Sequence, residues 1–147
     1  MNLFRAMDIS ASALTAERYR MDIAGENIAN ALTTRTADGG PYRRKYVLVQ
    51  ERPMYAFSDF MNAAGAKLAA GGGVRVVATQ EDTQTPFRVV YDPQHPDADE
   101  NGYVNMPNVD MEREMVDFLS ATRAYDASVT AISNYKAIAN RALQIGR

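Results

Sequence analysis

The C-terminal stretch carries the longest regular pattern of apolar positions in the chain. Alternate steps of four and three residues from Met111 reach an apolar or aromatic side chain at most positions. The positions are Met111, Met115, Phe118, Thr122, Tyr125, Val129, Ile132, Lys136, Ala139 and Leu143. This 3.5-residue spacing is typical of a helix that packs lengthwise against other helices. The pattern predicts a long C-terminal helix over residues 108–147.

Polar residues mark where this helix should begin. Pro107 stops the preceding element, and either Asn108 or Asp110 can cap the helix. Glu112 and Glu114 then place negative charge in the first turn, where the helix dipole favours it. No proline interrupts the pattern, so the stretch from Asn108 to Ile145 would be about 57 Å long at 1.5 Å per residue.

A second heptad pattern predicts an N-terminal helix within residues 1–35. Large apolar residues recur every seven positions, at Met7, Leu14, Met21 and Ile28. The companion positions are mostly small or polar: Leu3, Ser10, Glu17 and Ala24. The methionines on both helices fit ordinary core filling, and equally well adaptable packing against non-identical neighbours.

Two amides lie near the end of this first helix. Asn27 and Asn30 are three residues apart and therefore share a helix face. Asparagine is unfavourable inside helices, so both amides are expected to bond to backbone, either capping this helix or bridging to another.

The middle of the chain, residues 36–107, is predicted to be rich in strands. Apolar and β-branched residues favour strands at 45–50, 74–79 and 87–92. Residues 57–73 end in three glycines and are predicted to form a flexible loop. The fold class is therefore α+β, with the terminal helices packed as an antiparallel, coiled-coil-like pair. Because the middle is too small to cover both helices, we expect further partners in neighbouring subunits.

Composition narrows the function classes. The chain has 147 residues and a net charge of −2, which gives no electrostatic argument for nucleic-acid binding. It has no cysteine, which excludes disulfides and zinc–thiolate sites. No stretch approaches 18 apolar residues, so no transmembrane helix is predicted. The N-terminus lacks the pattern of a cleaved signal peptide, so export would need another route.

One alternative function comes from an acidic segment. Asp97, Asp99, Asn101 and Gly102 have the opening spacing of a calcium loop. The twelfth position should be glutamate and is Asn108 instead, so a solvated acidic turn is the competing interpretation. The corresponding rival function is a monomeric helical-hairpin binding module with a calcium-responsive loop.

Two other candidate groups give no catalytic constellation. His95, the only histidine, lies in a proline-rich turn, and its sequence neighbours do not establish catalytic geometry. The basic cluster of residues 43–45 has the charge to contact phosphate, but in a net-negative chain it is more typical of a solvated strand edge or a salt bridge at a protein interface. We therefore predict no enzyme activity, no cofactor and no bound metal.

Several stretches carry a family resemblance. Residues 9–16, Ile-Ser-Ala-Ser-Ala-Leu-Thr-Ala, lead into residues 27–31, Asn-Ile-Ala-Asn-Ala, and together resemble the signature of bacterial flagellar rod and hook proteins. Further stretches are similar to the proximal-rod protein C class of the basal body: residues 34–36, 39–44, 91–104, 106–109 and 114–116. The chain departs from the family at Leu32, where a polar residue is more usual, and residues 57–73 match no family pattern.

The resemblance implies a structural role. The terminal helices would pair within each subunit and form the inner tube of a hollow, torque-transmitting rod in the periplasm, with the middle segment facing outward. Implied partners are copies of the chain itself, other proximal-rod and distal-rod proteins, and the adaptor between rod and membrane ring. Export through the type III apparatus is also implied, without nucleic-acid binding or direct membrane insertion.

These expectations converge on an assembly interface along the two terminal helices. Its predicted residues are Leu3, Met7, Leu14, Met21, Asn27, Ile28, Asn30, Met111, Met115, Phe118, Leu119, Thr122, Tyr125, Val129, Ile132 and Leu143.

Overall fold

Two long terminal helices and four short strands make up the part of the chain that the structure describes. The computed structural model describes residues 3–37, 39–53 and 71–145. The elements in chain order are α1 Leu3–Ala29, β1 Lys45–Glu51, β2 Val74–Glu81, β3 Arg88–Tyr91, β4 Tyr103–Met106 and α2 Met111–Ile145. The terminal helices pack together and the strands form small antiparallel hairpins between them, which confirms the predicted α+β class. Residues 57–70 of the predicted flexible loop lie outside the described residues.

Asp110 caps α2. Its carboxylate Oδ1 accepts hydrogen bonds from the backbone nitrogens of Glu112 (3.1 Å) and Arg113 (3.4 Å). Asn108, the other candidate cap, instead accepts from the Arg44 backbone nitrogen at 2.8 Å. The helix therefore begins at Met111, and its 35 residues extend about 52 Å.

Contacts within the chain divide it into two units. The first comprises Met1–Tyr19, Leu48–Ala78 and Ala121–Arg147, and the second comprises Arg20–Val47 and Thr79–Ser120. Each helix contributes residues to both units.

Close backbone approach shapes the first unit. Gly73 has φ +97°, and a Cβ atom there would lie 2.2 Å from Ser12 Oγ. The Val74 backbone nitrogen donates to the same hydroxyl at 3.0 Å. A Cβ on Gly72 would lie 2.4 Å from the carbonyl oxygen of Arg52. The glycines at the end of the predicted loop thus serve tight packing, which composition alone does not distinguish from flexibility.

The second unit has a small core around the β3–β4 hairpin. Val90 pairs with Val104, which is almost fully buried, and Tyr91 pairs with Tyr103 in an edge-to-face contact at 5.2 Å. The sequence pattern did not predict β4. The strand has only four residues, one of them Asn105, so its pairing with β3 rather than its own propensity defines it.

Candidate functional site

A buried polar network joins the end of α1, the start of β1 and the start of α2. Asn27 is 0% exposed. Its amide nitrogen donates to Glu114 Oε2 (2.9 Å) and to the Lys45 carbonyl (2.8 Å). Its amide oxygen accepts from the Lys45 backbone nitrogen (2.9 Å) and from the Tyr42 hydroxyl (3.0 Å). Two donated and two accepted bonds are the full capacity of a carboxamide, so this side chain is completely satisfied away from water.

An ion pair completes the network. Glu114 is 1% exposed, and its second oxygen, Oε1, accepts from Arg44 Nε at 2.6 Å. The same guanidinium reaches Asp117 Oδ2 at 3.4 Å. A buried carboxylate is tolerated only when paired and hydrogen-bonded, and here each of its oxygens has a partner.

Tyr42 works as a neutral donor in this setting. Burial, followed by the nearby carboxylates of Glu26, Glu114 and Glu81, raises the pKa of the Tyr42 hydroxyl far above its ordinary value. The hydroxyl therefore keeps its proton and its hydrogen bond to Asn27 at all physiological pH values.

The structure resolves the two interpretations of the helix-end amides. Asn27 bridges to β1 and α2, whereas Asn30 acts locally. The Asn30 amide donates to the carbonyl of Glu26 at 2.9 Å and accepts from the Thr33 hydroxyl at 3.2 Å. Both predicted roles, bridging and capping, are confirmed, one for each residue.

The basic cluster is engaged inside the chain. Arg44 pairs with Glu114, and Lys45 Nζ lies 2.5 Å from Glu26 Oε1. The Arg43 guanidinium lies 4.3 Å from the centre of the Phe87 ring. Arg44 and Lys45 thus form salt bridges within the chain, whereas Arg43 makes a cation–π contact. That the cluster forms a salt bridge at a protein interface stays a prediction. The position of Glu114 in the first turn of α2 predicted only an interaction with the helix dipole, and the ion pair with Arg44 was not predicted.

The face of α2 that packs within the chain is lined by small and polar residues. Glu114 and Ala121, seven residues apart, are the most buried positions of this helix among the described residues. Ala16 and Ala24 are the corresponding buried positions on α1, where Met7, Leu14, Met21 and Ile28 are partly buried. Small side chains allow two helix axes to approach closely.

The large apolar side chains predicted for the α2 seam lie beside this face. At 100° per residue, Met111, Met115 and Val129 are about 60–100° around the helix from Glu114, Phe118 is about 40° away and Leu119 about 140°. Met115 is 46% exposed, Leu119 55% and Leu143 75%. Met111, Phe118 and Val129 are also exposed, and Thr122, Tyr125 and Ile132 are partly buried. We call the exposed set Met111, Met115, Phe118, Leu119, Val129 and Leu143 the apolar stripe. The side chain of Leu3 lies outside the described residues.

A groove adjoins the N-terminal end of the apolar stripe. It has a volume of about 590 Å³, and its apolar lining includes Leu32, Pro86, Val109 and Met111. Leu32 is 68% exposed there. The residue at which the sequence departs from the rod-protein pattern therefore enlarges the accessible apolar surface.

The acidic segment forms a turn stabilised by the protein itself. Asp97 Oδ2 accepts from the Thr34 hydroxyl at 2.8 Å, and Asp99 Oδ1 accepts from the backbone nitrogens of Asn101 and Tyr103. His95 Nδ1 accepts from the Asp97 backbone nitrogen at 3.1 Å. These contacts are those expected of an acidic turn and a turn-forming histidine.

The described ranges contain neither a metal-binding cluster nor a helix able to cross a membrane. Residues 3–37, 39–53 and 71–145 contain no group of three or more His, Cys, Asp or Glu side chains placed to hold a metal ion. In that same part of the chain, neither helix is apolar enough over a sufficient length to cross a bilayer.

Comparison with known proteins matches both ends of the chain and its whole length. Residues 7–35 match the family described as flagella basal body rod protein, and residues 100–145 match the C-terminal family of flagellar basal body rod FlgEFG proteins. The chain is 45% identical to the flagellar basal-body rod protein FlgC of Bacillus subtilis and 42% identical to that of Escherichia coli O157:H7, with 100% of each chain covered. It is 35% identical to the FlgC of Aquifex aeolicus, covering 98% of this chain and 97% of the relative.

Proposed function

The chain belongs to the FlgC family of flagellar basal-body rod proteins, and we propose that it polymerises through its terminal helices within the proximal rod. It is a structural subunit and not an enzyme. The rival function, a monomeric calcium-responsive module, does not account for similarity to rod proteins along the whole chain.

The apolar stripe on α2 is the observation that carries this proposal. The helix packs within the chain through Glu114 and Ala121, while Met115 and Leu119 remain about half exposed. A row of exposed large apolar side chains along one helix favours an interaction site. In a helical assembly the same surface meets an equivalent neighbour in every subunit, so one contact is repeated along the rod.

Covering the stripe contributes favourable free energy to assembly. Complete burial of a large apolar side chain contributes about 1.5–3 kcal/mol, so covering a half-exposed one contributes about 1 kcal/mol. Six such positions supply several kcal/mol per subunit contact. Repetition along the rod multiplies that contribution.

The stripe also suits more than one kind of neighbour. Met111 and Met115 lie at its N-terminal end, and Met111 also lines the groove. Methionine adapts its shape to different partners more readily than a branched side chain does. We assign as neighbours other copies of the chain, the other proximal-rod and distal-rod proteins and the adaptor to the membrane ring. The type III export apparatus delivers the subunit, and the rod conveys motor torque.

Paired charge substitutions test the proposal. Leu119→Glu places a carboxylate on the stripe, and Ser120→Glu places it about 100° away around the same helix. Both positions are exposed, so the free energy of unfolding of each variant should lie within about 0.5 kcal/mol of that of the parent. In bacteria that carry the variant as their only copy, Leu119→Glu should abolish incorporation into basal bodies and motility, and Ser120→Glu should leave both intact. Normal incorporation of Leu119→Glu would overturn the proposal.

A further inference from the structure

The buried polar network connects the last turn of α1 to the first turn of α2. We propose that Asn27, Arg44 and Glu114 fix the axial register of α1 against α2. This inference rests on the proposed function only in its consequence, because the register sets where the apolar stripe of α2 stands relative to α1.

Packing of small residues alone discriminates weakly between registers. In the α2 sequence, Glu114 is followed at intervals of seven by Ala121 and Ser128. Ala24 is buried on α1, and Ala31, seven residues further along the chain, is buried just beyond the end of that helix. Sliding α2 by one heptad moves it about 10 Å along its axis and brings Ser128 to the place of Ala121. One small residue then replaces another, so the apolar contact changes little.

The polar network does not survive such a slide. Seven residues before Glu114 the chain has Pro107, and seven residues after it has Ala121. Neither residue has a side-chain oxygen that could accept the hydrogen bond that Asn27 donates to Glu114 Oε2. After a slide in either direction, Asn27 loses its carboxylate partner and the Arg44–Glu114 ion pair breaks. Only one alignment therefore satisfies all the buried polar atoms.

The strand anchors this choice to the backbone. The Asn27 side chain forms hydrogen bonds with both the N–H and the carbonyl of Lys45, so its position is fixed relative to β1. Arg44 is held in turn by two backbone contacts, its N–H on Asn108 Oδ1 and its carbonyl on the Asp82 N–H at 2.7 Å. The backbone of Arg44, whose guanidinium pairs with Glu114, is therefore held in place by hydrogen bonds. These contacts align α2 against both α1 and β1.

The physical role is specificity more than strength. Replacing a buried ion pair by apolar residues of similar size often leaves stability unchanged or raises it, whereas a single buried polar residue can select one helix alignment. The structure therefore predicts a variant that remains folded and loses its unique register.

A distance measurement on the full-length protein tests this inference. The chain has no cysteine, so Asp22→Cys and Val116→Cys place two nitroxide labels at exposed positions, one on each helix. Pulsed dipolar spectroscopy of the parent should give one narrow distance distribution. In the Asn27→Leu, Arg44→Leu, Glu114→Leu variant, we expect a cooperative melt and a distribution with an added component from a slide of about 10 Å. The single narrow distance of the parent in that variant would overturn the inference.

Two further variants make the result decisive. Arg35→Leu removes an exposed ion pair with Asp97, outside the network, and should leave the distance unchanged. If the triple variant does not fold, Glu114→Gln keeps the shape of the side chain and removes its charge. A second distance component in Glu114→Gln supports the inference, and the parental distribution contradicts it. Because the readout is on the unassembled chain, its failure is distinct from failure of rod incorporation.

Discussion

The amide of Asn27 donates to the carboxylate of Glu114 across 2.9 Å, at a place where both side chains are excluded from water. This contact joins residues 87 positions apart in the sequence and brings the last turn of α1 to the first turn of α2. A saturated amide and an ion-paired carboxylate make this a specific junction, because neither side chain has an equally satisfied alternative.

Removing the Asn27 amide should destabilise the chain strongly. Asn27→Ala leaves the N–H and the carbonyl of Lys45 without this partner and takes one partner from Glu114. Since each buried polar group left unsatisfied costs about 1–3 kcal/mol, we expect the free energy of unfolding to fall by about 3 kcal/mol. Urea denaturation of the full chain measures this. Asn30→Ala, which loses only local bonds, is the matched control and should cost about 1 kcal/mol. Equal losses in the two variants would contradict the assigned role of Asn27.

Tyr42 should make stability depend on pH in the alkaline range. Its pKa is raised in the folded chain, so the folded state holds this proton at pH values where the unfolded state, with a pKa near 10, has released it. Its contribution is complete below pH 10 and is lost as the pH rises above that value.

The comparison variant is Tyr42→Phe. At pH 7 it should be less stable by about 1 kcal/mol, because one hydrogen bond to Asn27 is lost while the Lys45 N–H still satisfies that oxygen. Denaturation curves from pH 8 to 11 should show the difference between parent and variant shrinking above pH 10. A constant difference over that range would mean that the hydroxyl is not held in its neutral form.

The glycines before β2 provide a third prediction. Gly73→Ala combines a positive φ with a methyl group directed at Ser12 Oγ. Gly39→Ala has a comparable φ of +83° and open space around it. We expect the Gly39 variant to lose about 1 kcal/mol from its backbone conformation and the Gly73 variant at least about 3 kcal/mol. Thermal melts of both proteins measure this, and similar losses would show that the packing against Ser12 is unimportant.

The sequence predicted the architecture well because its long-range signals repeat. Two heptad patterns, a proline stop and an acidic first turn were enough to predict both terminal helices. The partner of Asn27 was not predictable in the same way. Glu114 has a sufficient local explanation in the helix dipole, and nothing in its immediate surroundings points to Arg44, which is 70 residues away.

The helix faces illustrate a second limit. The pattern of large apolar residues indicated a seam through Met115 and Phe118, and large residues are the usual sign of a core. Within the chain the most buried apolar positions of the two helices are instead Ala16, Ala24 and Ala121. A useful signal was present in the small and polar residues at Glu114, Ala121 and Ser128, which repeat every seven positions beside the larger seam.

The central claim is that the apolar stripe is covered by neighbouring subunits in the assembled rod. A photoreactive amino acid at Met115, in bacteria with this chain as their only copy, tests it directly. Illumination should cross-link Met115 to a rod subunit in purified basal bodies. The same group at Arg113, on the opposite side of the helix, should give much less product. Absence of a cross-link from Met115, or equal yields from the two positions, would contradict the account.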